Sequence, residues 1–257
     1  MSQGTHLAAE DYLADIYRLE ADGVNATTGA VAERRSVTPA SATAMFKRLA
    51  RDGFVTYREY EGVVLTDEGQ RLALGVLRRH RLVERFLTDV LRLPWDQVDG
   101  IADQMEHGLP DIVVDALESL LGNPFTCPHG YPIPDRKGNV LEVPALRTLA
   151  DLRAGDGAVV ARVDERVPGL LPYLDGLGVV PGAALRVVDV NPLDETVSIR
   201  TEATSERVHV VGPRIARAVS VVPPELGAWD PAPEGHGKNG GSAQHADDGG
   251  AGLEGTH

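Results

Sequence analysis

Along the first half of the chain, apolar positions recur at the spacing of helices. Leu7, Leu13, Ile16, Tyr17 and Leu19 predict an amphipathic first helix over residues 6–21, with Asp11 and Ala14 on a neighbouring face. After the turn at Asp22-Gly23, a hydroxyl at Thr27 or Thr28 can accept the free first-turn N–H groups of a short helix ending at Arg34 or Arg35. Thr38-Pro39 is a second start signal, because a proline at the first helical position lacks only an N–H that would go unpaired there. This next helix should run to Asp52 and stop at Gly53, which takes a left-handed cap without strain. Two short helices joined by a tight turn make a helix-turn-helix. The strand-like runs 54–57 and 62–66, bridged by charged residues, predict a two-stranded wing behind it.

From residue 67 to about residue 91 there is room for a helix of roughly seven turns. Its apolar positions, among them Leu74, Leu77, Leu82, Val83 and Phe86, can serve both its own domain and a second subunit. Further helices are expected after Pro94 and after Pro110, the latter ending at Gly122. The proline-rich loop 123–134 cannot be helical, and residues 136–145 read as a linker. Then the period changes: runs at 157–163, 184–190, 196–200, 207–211 and 215–221 are β-rich, with a helical insertion at 168–177, which suits a small barrel. Past Pro224 the chain is Gly-rich and aperiodic, and the tail is expected to be disordered.

Composition narrows the partners. With 257 residues and 42% hydrophobic content the chain can bury a core and fill two domains plus extras. There is no apolar run of membrane-spanning length and no charged-then-apolar leader, so a cytoplasmic protein with no membrane partner is expected. The single Cys127 excludes an internal disulfide framework. The net charge of −13 argues against nucleic acid until its distribution is read. Residues 27–80 hold nine Lys/Arg against six Asp/Glu, whereas residues 81–257 hold 15 against 27. A short basic unit on acidic regulatory parts fits a DNA-contacting head.

Three groups of residues carry candidate chemistry. Within 96–107, Asp99, Asp103, Glu106 and His107 stand at offsets of 0, 4, 7 and 8, so on a helix they share one stripe. Such a stripe is either solvated or neutralised by a divalent cation, since like charges repel and buried ones need partners. His80 and Glu84 share a face one turn apart, and on an antiparallel neighbour they could aim into the same space. Cys127 and His129 lie two residues apart in the rigid loop, a spacing open to a surface pair or to half of a metal site. On the 38–52 helix the outer face offers small residues and hydroxyls, Thr38, Ala40, Ser41 and Thr43, followed by Lys47 and Arg51. With Thr28 these are the candidate DNA contacts: small residues let the helix approach base edges and cations suit phosphates.

Five stretches carry a resemblance: residues 10–17 (EDYLADIY), 79–84 (RHRLVE), 105–107 (MEH), 127–130 (CPHG) and 132–134 (PIP). With them the chain resembles the diphtheria toxin repressor and manganese transport regulator family of metal-dependent repressors. Residues 148–182 are similar to that family's SH3-like domain, shared with ferrous-iron transport accessory proteins. The resemblance implies a mainly α fold with a β-rich C-terminal domain. Its parts would be a winged helix-turn-helix at 1–73, a helical dimerisation and metal-binding domain at 74–145, an SH3-like domain at 146–224 and a tail at 225–257. It also implies two metal ions per subunit and a homodimer that inserts both recognition helices into a palindromic operator in double-stranded DNA. Carried over by position, one site would take Asp11, His80, Asp103, Glu106 and His107, and a second would take Glu84, Cys127, His129 and Asp164. Asp99 stands where the iron-responsive branch has a histidine ligand, and its role stays open. Ala14 stands where two-domain manganese members have a glutamate, which argues against a double-manganese cluster.

The metal expected is Mn(II), because the iron branch places a methionine and a cysteine where this chain has Asp11 and Asp103, and carboxylate oxygens suit the harder ion. Cys127 argues the other way at the second site, so Fe(II) is the alternative and Zn(II) or Co(II) are possible substitutes. The leading expectation is a Mn(II)-activated repressor of metal-uptake genes. A hydrolytic metalloenzyme is the competing class, but it needs an open coordination position beside a catalytic base, and five candidate ligands crowd one site here.

Overall fold

A computed structural model describes residues 3–141, 145–204 and 207–226, with residues 3–6 given by backbone alone. The tail expectation at 225–257 therefore lies almost wholly outside the described residues. Helix α1 (Gln3–Ala21) is followed by α2 (Thr28–Arg34), α3 (Pro39–Arg51) and a hairpin of β1 (Val55–Arg58) and β2 (Gly62–Leu65). Capping fixes these starts: Thr27 Oγ1 accepts from the N–H of Ala30 and Thr38 Oγ1 from that of Ser41, both at 3.2 Å. Phe46 and Leu49 of α3, Leu13 and Ile16 of α1 and Val31 of α2 are buried together, so the second helix of the motif hangs on one apolar cluster. Its other side is left to solvent.

Helix α4 (Asp67–Arg85) follows the hairpin and packs on α1 through Val76 and Leu77 and on the later helices through Leu82 and Val83, so the head and the helical layer share one element. Its last residues pass into a π-helical turn, Phe86–Val90, in place of the continuous helix expected to about residue 91. There the Thr88 hydroxyl donates to the carbonyls of Glu84 and Arg85 and competes with the regular ladder. Helices α5 (Val98–Met105) and α6 (Asp111–Leu120) pack back onto it. The 96–107 stripe is not one α-helix. α5 ends at Met105, and Glu106–Gly108 form a 3-10 turn ahead of Leu109-Pro110, because the residue before a proline is pushed out of the helical region.

The last domain is a six-stranded antiparallel sheet in the order β3-β8-β4-β5-β6-β7. Its strands are β3 (Arg147–Thr148), β4 (Gly157–Val163), β5 (Ala184–Val190), β6 (Val197–Thr201), β7 (His209–Val211) and β8 (Val219–Val222), with α7 (Leu170–Leu177) inserted after β4. Its core is its own, built from Leu149, Val160, Leu174, Val187, Ile199 and Val219 among others. The run 215–221 is not a single strand: α8 (Pro213–Ala218) occupies its first half, started by a proline at the first helical position, and β8 takes the rest. This sheet domain, expected from the sequence to be a small barrel, touches the helical layer through loop 123–134. Val163 donates its N–H to His129 O at 3.0 Å, and the Arg162 guanidinium lies 4.8 Å from the Tyr131 ring centroid.

Candidate metal centre

Five segments deliver acidic, imidazole or thiol groups to one line of contacts. His107, on the 3-10 turn, places Nε2 2.8 Å from Asp11 Oδ1 of α1 and 3.4 Å from Glu106 Oε1. The second oxygen of Glu106 lies 2.9 Å from His80 Nδ1, with Asp103 Oδ1 3.3 Å from the same nitrogen. Across the ring, His80 Nε2 is 3.2 Å from Asp99 Oδ1 and 3.7 Å from Glu84 Oε1. Glu84 Oε1 is in turn 3.0 Å from His129 Nδ1, which Glu165 Oε2 also approaches to 3.0 Å. His129 Nε2 lies 2.8 Å from the carbonyl of Trp95, whose indole stacks on the imidazole at 5.6 Å between centroids.

Within that line, donor atoms of Asp11, Glu106 and His107 lie within 4.8 Å of one another, as do those of Glu84, Cys127 and His129. His80 with Asp99 and Asp103, and Glu84 with Asp99 and Glu165, meet the same measure. These groups suit a cation for a reason of their own: His80 Nε2, Glu84 Oε1, His107 Nδ1 and His129 Nδ1 are buried and meet their charged neighbours without a well-directed hydrogen bond. Poorly directed polar contacts in the interior are costly, and a coordinated divalent ion would satisfy these atoms better. Charge makes the same point. Burial would lower the His80 pKa, but Glu84, Asp103, Asp99 and Glu106 around it raise it well above the ordinary value. Burial is likewise overcome at His129, raised by Cys127, Glu165 and Glu84, and at Glu84, where His80 and His129 hold the carboxyl far below the usual range. Burial pushes the Cys127 thiol up, and Glu84 adds to it. Surplus negative charge is thus held in place by protons on imidazoles, which a metal ion would displace.

The sequence-predicted ligands fall into place unevenly. Asp11, Glu106 and His107 form one group, and His80 and Asp103 stand beside it, joined through Glu106, with Asp99 on the far side of the ring. Glu84, Cys127 and His129 converge as a second group. Asp164 does not join them. It accepts from Arg166 Nε and Nη2 at 2.8 and 2.9 Å, and its neighbour Glu165 reaches His129 instead. β4 ends at Val163, so Asp164 and Glu165 lie in the turn that follows, where strand alternation no longer says which of the two reaches the loop. Sequence reading also passed over Glu10, 3.5 Å from His107 Nδ1, and the Trp95 carbonyl, whose backbone oxygen carries no residue signal.

On the reading head, Ala40, Ser41, Ala44, Lys47 and Arg51 are exposed along one side of α3, while Thr43 is half-buried. The Thr38 hydroxyl is engaged as a cap and lies 2.8 Å from Ser41 Oγ, and Thr28 is the half-buried first residue of α2. Among the described residues no helix is long and apolar enough to cross a membrane.

Three family models match in register with these parts. They are the iron-dependent repressor N-terminal DNA-binding domain over residues 6–63, the iron-dependent repressor metal-binding and dimerisation domain over 66–135, and the FeoA domain over 147–223. The iron-dependent repressor IdeR of Mycobacterium tuberculosis is 37% identical over 189 residues, covering 69% of this chain and 82% of that protein. A diphtheria toxin repressor from Corynebacterium jeikeium is 38% identical over 125 residues, 49% of this chain and 52% of its own length. Among solved structures, a manganese-dependent transcriptional repressor in complex with manganese superposes with a TM-score of 0.76 at 33% identity, over 84% of this chain and 99% of that one. With the DNA-binding, metal-binding and dimerisation parts all matched in order, the chain belongs to the diphtheria toxin repressor and manganese transport regulator family, and is a metal-dependent transcriptional repressor rather than an enzyme.

Proposed function

We propose that this repressor is activated by Mn(II), works in the cytoplasm on metal-uptake genes, and binds a palindromic operator as a homodimer. The observation that carries the reading is the meeting of Asp11, from the DNA-binding head, with Glu106 and His107, from the helical layer. A cation shared by these groups would supply the positive charge their carboxylates lack. Asp11 and His107 already hold α1 against the 3-10 turn, and fixing that contact fixes how the head, with α3 exposed on it, sits on the rest of the subunit. In a dimer this sets the separation of two reading helices, which must match the spacing of half-sites in the duplex. Oxygen donors dominate the group, which favours Mn(II); the manganese-bound relative supports the same choice.

Fe(II) is the second reading, favoured by the iron-dependent mycobacterial relative and by Cys127 among the donors of the second group. Anaerobic titration of each ion against a labelled operator duplex separates the two. Mn(II) is expected to tighten binding, and Asp11→Ala or Glu106→Ala to abolish the tightening. Operator binding by the wild type that ignores both ions would overturn the reading.

A further inference from the structure

The two oxygens of Asp11 face different parts of the molecule. Oδ1 meets His107 of the helical layer at 2.8 Å, and Oδ2 accepts from Arg35 Nη2 at 2.9 Å. Arg35 caps the C-terminus of α2 and opens the turn of the helix-turn-helix; Ser36 follows with φ 53°, and Thr38 caps α3. The other arm of the same guanidinium, Nη1, donates to Asp15 Oδ2 at 3.1 Å, and the group lies 5.3 Å from the Tyr12 ring centroid. Arg35 therefore spans two carboxylates one turn apart on α1, and one of them is a candidate metal ligand.

We propose that Arg35 is the positioning residue that carries the state of Asp11 to the reading helix, an inference that rests on Asp11 being a ligand as argued above. A carboxylate held at Oδ1 by coordination has a fixed plane, so Oδ2 presents a fixed acceptor to Nη2. The guanidinium is planar and its donors keep a rigid fork, so two anchored arms determine the direction of the side chain and with it the end of α2. Four residues after Arg35, at Pro39, α3 begins. When Asp11 is free to rotate, only the Asp15 arm stays anchored, and the turn can pivot about it. Lysine could satisfy one carboxylate but not hold the angle between two.

The test uses the full chain as wild type, Arg35→Met and Arg35→Lys. Mn(II) affinity is measured by calorimetry without DNA, operator affinity with and without Mn(II), and amide hydrogen exchange over residues 36–42. At Mn(II) concentrations that calorimetry shows to saturate each protein, Arg35→Met is expected to lose about tenfold or more of the metal-induced tightening while its metal-free operator affinity falls by less, the loss of one charge-assisted hydrogen bond. Exchange over the turn, slowed by Mn(II) in the wild type, is expected to stay unchanged in Arg35→Met and to slow in part in Arg35→Lys. Full tightening in Arg35→Met overturns the proposal. So does an equal loss with and without metal accompanied by a shallower salt dependence, which would make Arg35 a phosphate contact. If Arg35→Met does not fold, full tightening in Arg35→Lys overturns it. A wild type that fails to tighten with Mn(II) or Fe(II) instead sinks the ligand assignment of Asp11, whatever the variants do.

Discussion

Gly130→Ala separates the second group of donors from the first. Gly130 has φ +89°, and a Cβ there would lie 2.0 Å from Ala161 O and 2.8 Å from Arg162 Cα on β4. The left-handed backbone alone costs an L-residue about 1–2 kcal/mol. No rotamer change relieves the overlap, because both neighbours are main-chain atoms, so loop and barrel must part by roughly 1 Å or more to reach ordinary contact. That stretches the 3.0 Å bond from Val163 N–H to His129 O beyond a useful length, a further loss of about 1 kcal/mol. It also draws His129 away from Glu165. With the loop undocked in the free protein, binding at the second group must re-impose this strain, a cost of about 2–3 kcal/mol that corresponds to roughly 30- to 150-fold weaker binding there. Calorimetric titration with Mn(II) should show one binding event weakened by this factor and the event at Asp11, Glu106 and His107 unchanged. The barrel has its own core, so its melting should persist. Two unaltered binding events would refute the claim that docking of the barrel through Gly130 completes the second site.

Two further perturbations probe the scaffold. Asp15 is buried; burial would raise its pKa, but Arg18, Arg34 and Arg35 together lower it. A lowered carboxyl contributes stability that is present above its unfolded pKa of about 4 and is lost as pH falls through the folded value. Asp15→Asn should therefore destabilise the protein by about 3–5 kcal/mol at neutral pH, and denaturant midpoints should show the gap to wild type closing below about pH 4. On α6, Ile112 and Leu120 are 78% and 64% exposed. In a protein with a dimerisation domain these residues are expected to lie at the subunit contact, so Ile112→Glu with Leu120→Glu should shift sedimentation toward monomer while each subunit stays folded.

The head was legible because each boundary there is set locally. Hydroxyls at Thr27 and Thr38, Pro39 at the first helical position and Gly53 at the end announce themselves in order, and the apolar period agrees with them. The centre was legible as a set of residue types but not as a shape. A helical projection puts Glu106 and His107 on the stripe of Asp99 and Asp103, yet Pro110 and the loop before it convert their backbone to a 3-10 turn, which buries Glu106 and swings His107 to α1. Asp164 and Glu165 are neighbours in the turn after β4, and which of them reaches His129 depends on how the last domain docks against Gly130, a tertiary fact absent from local pattern. The same holds for residues 215–221, where the sheet claimed only the second half of an apolar run.

Asp11→Met parts metal binding from its consequence. The resemblance implies a methionine at the position of Asp11 in the iron-responsive branch, and a thioether can take the place of a carboxylate oxygen at a cation, with a preference for softer ions. Calorimetry should accordingly show Mn(II) weakened relative to Fe(II) or Co(II) in the variant. A thioether is a poor acceptor, however, and cannot take the 2.9 Å bond that Arg35 Nη2 now gives to Asp11 Oδ2. If the carboxylate serves both as ligand and as the anchor of Arg35, the variant loaded with Co(II) should hold its ion and still grip the operator at least about tenfold less tightly than the loaded wild type. If Asp11 serves as a ligand alone, occupancy by the softer ion should restore operator affinity in full. The fluorescence anisotropy of a labelled duplex, read at saturating Co(II) for both proteins, distinguishes the two, and full recovery would mean that the helix-turn-helix senses the metal without the Asp11–Arg35 contact.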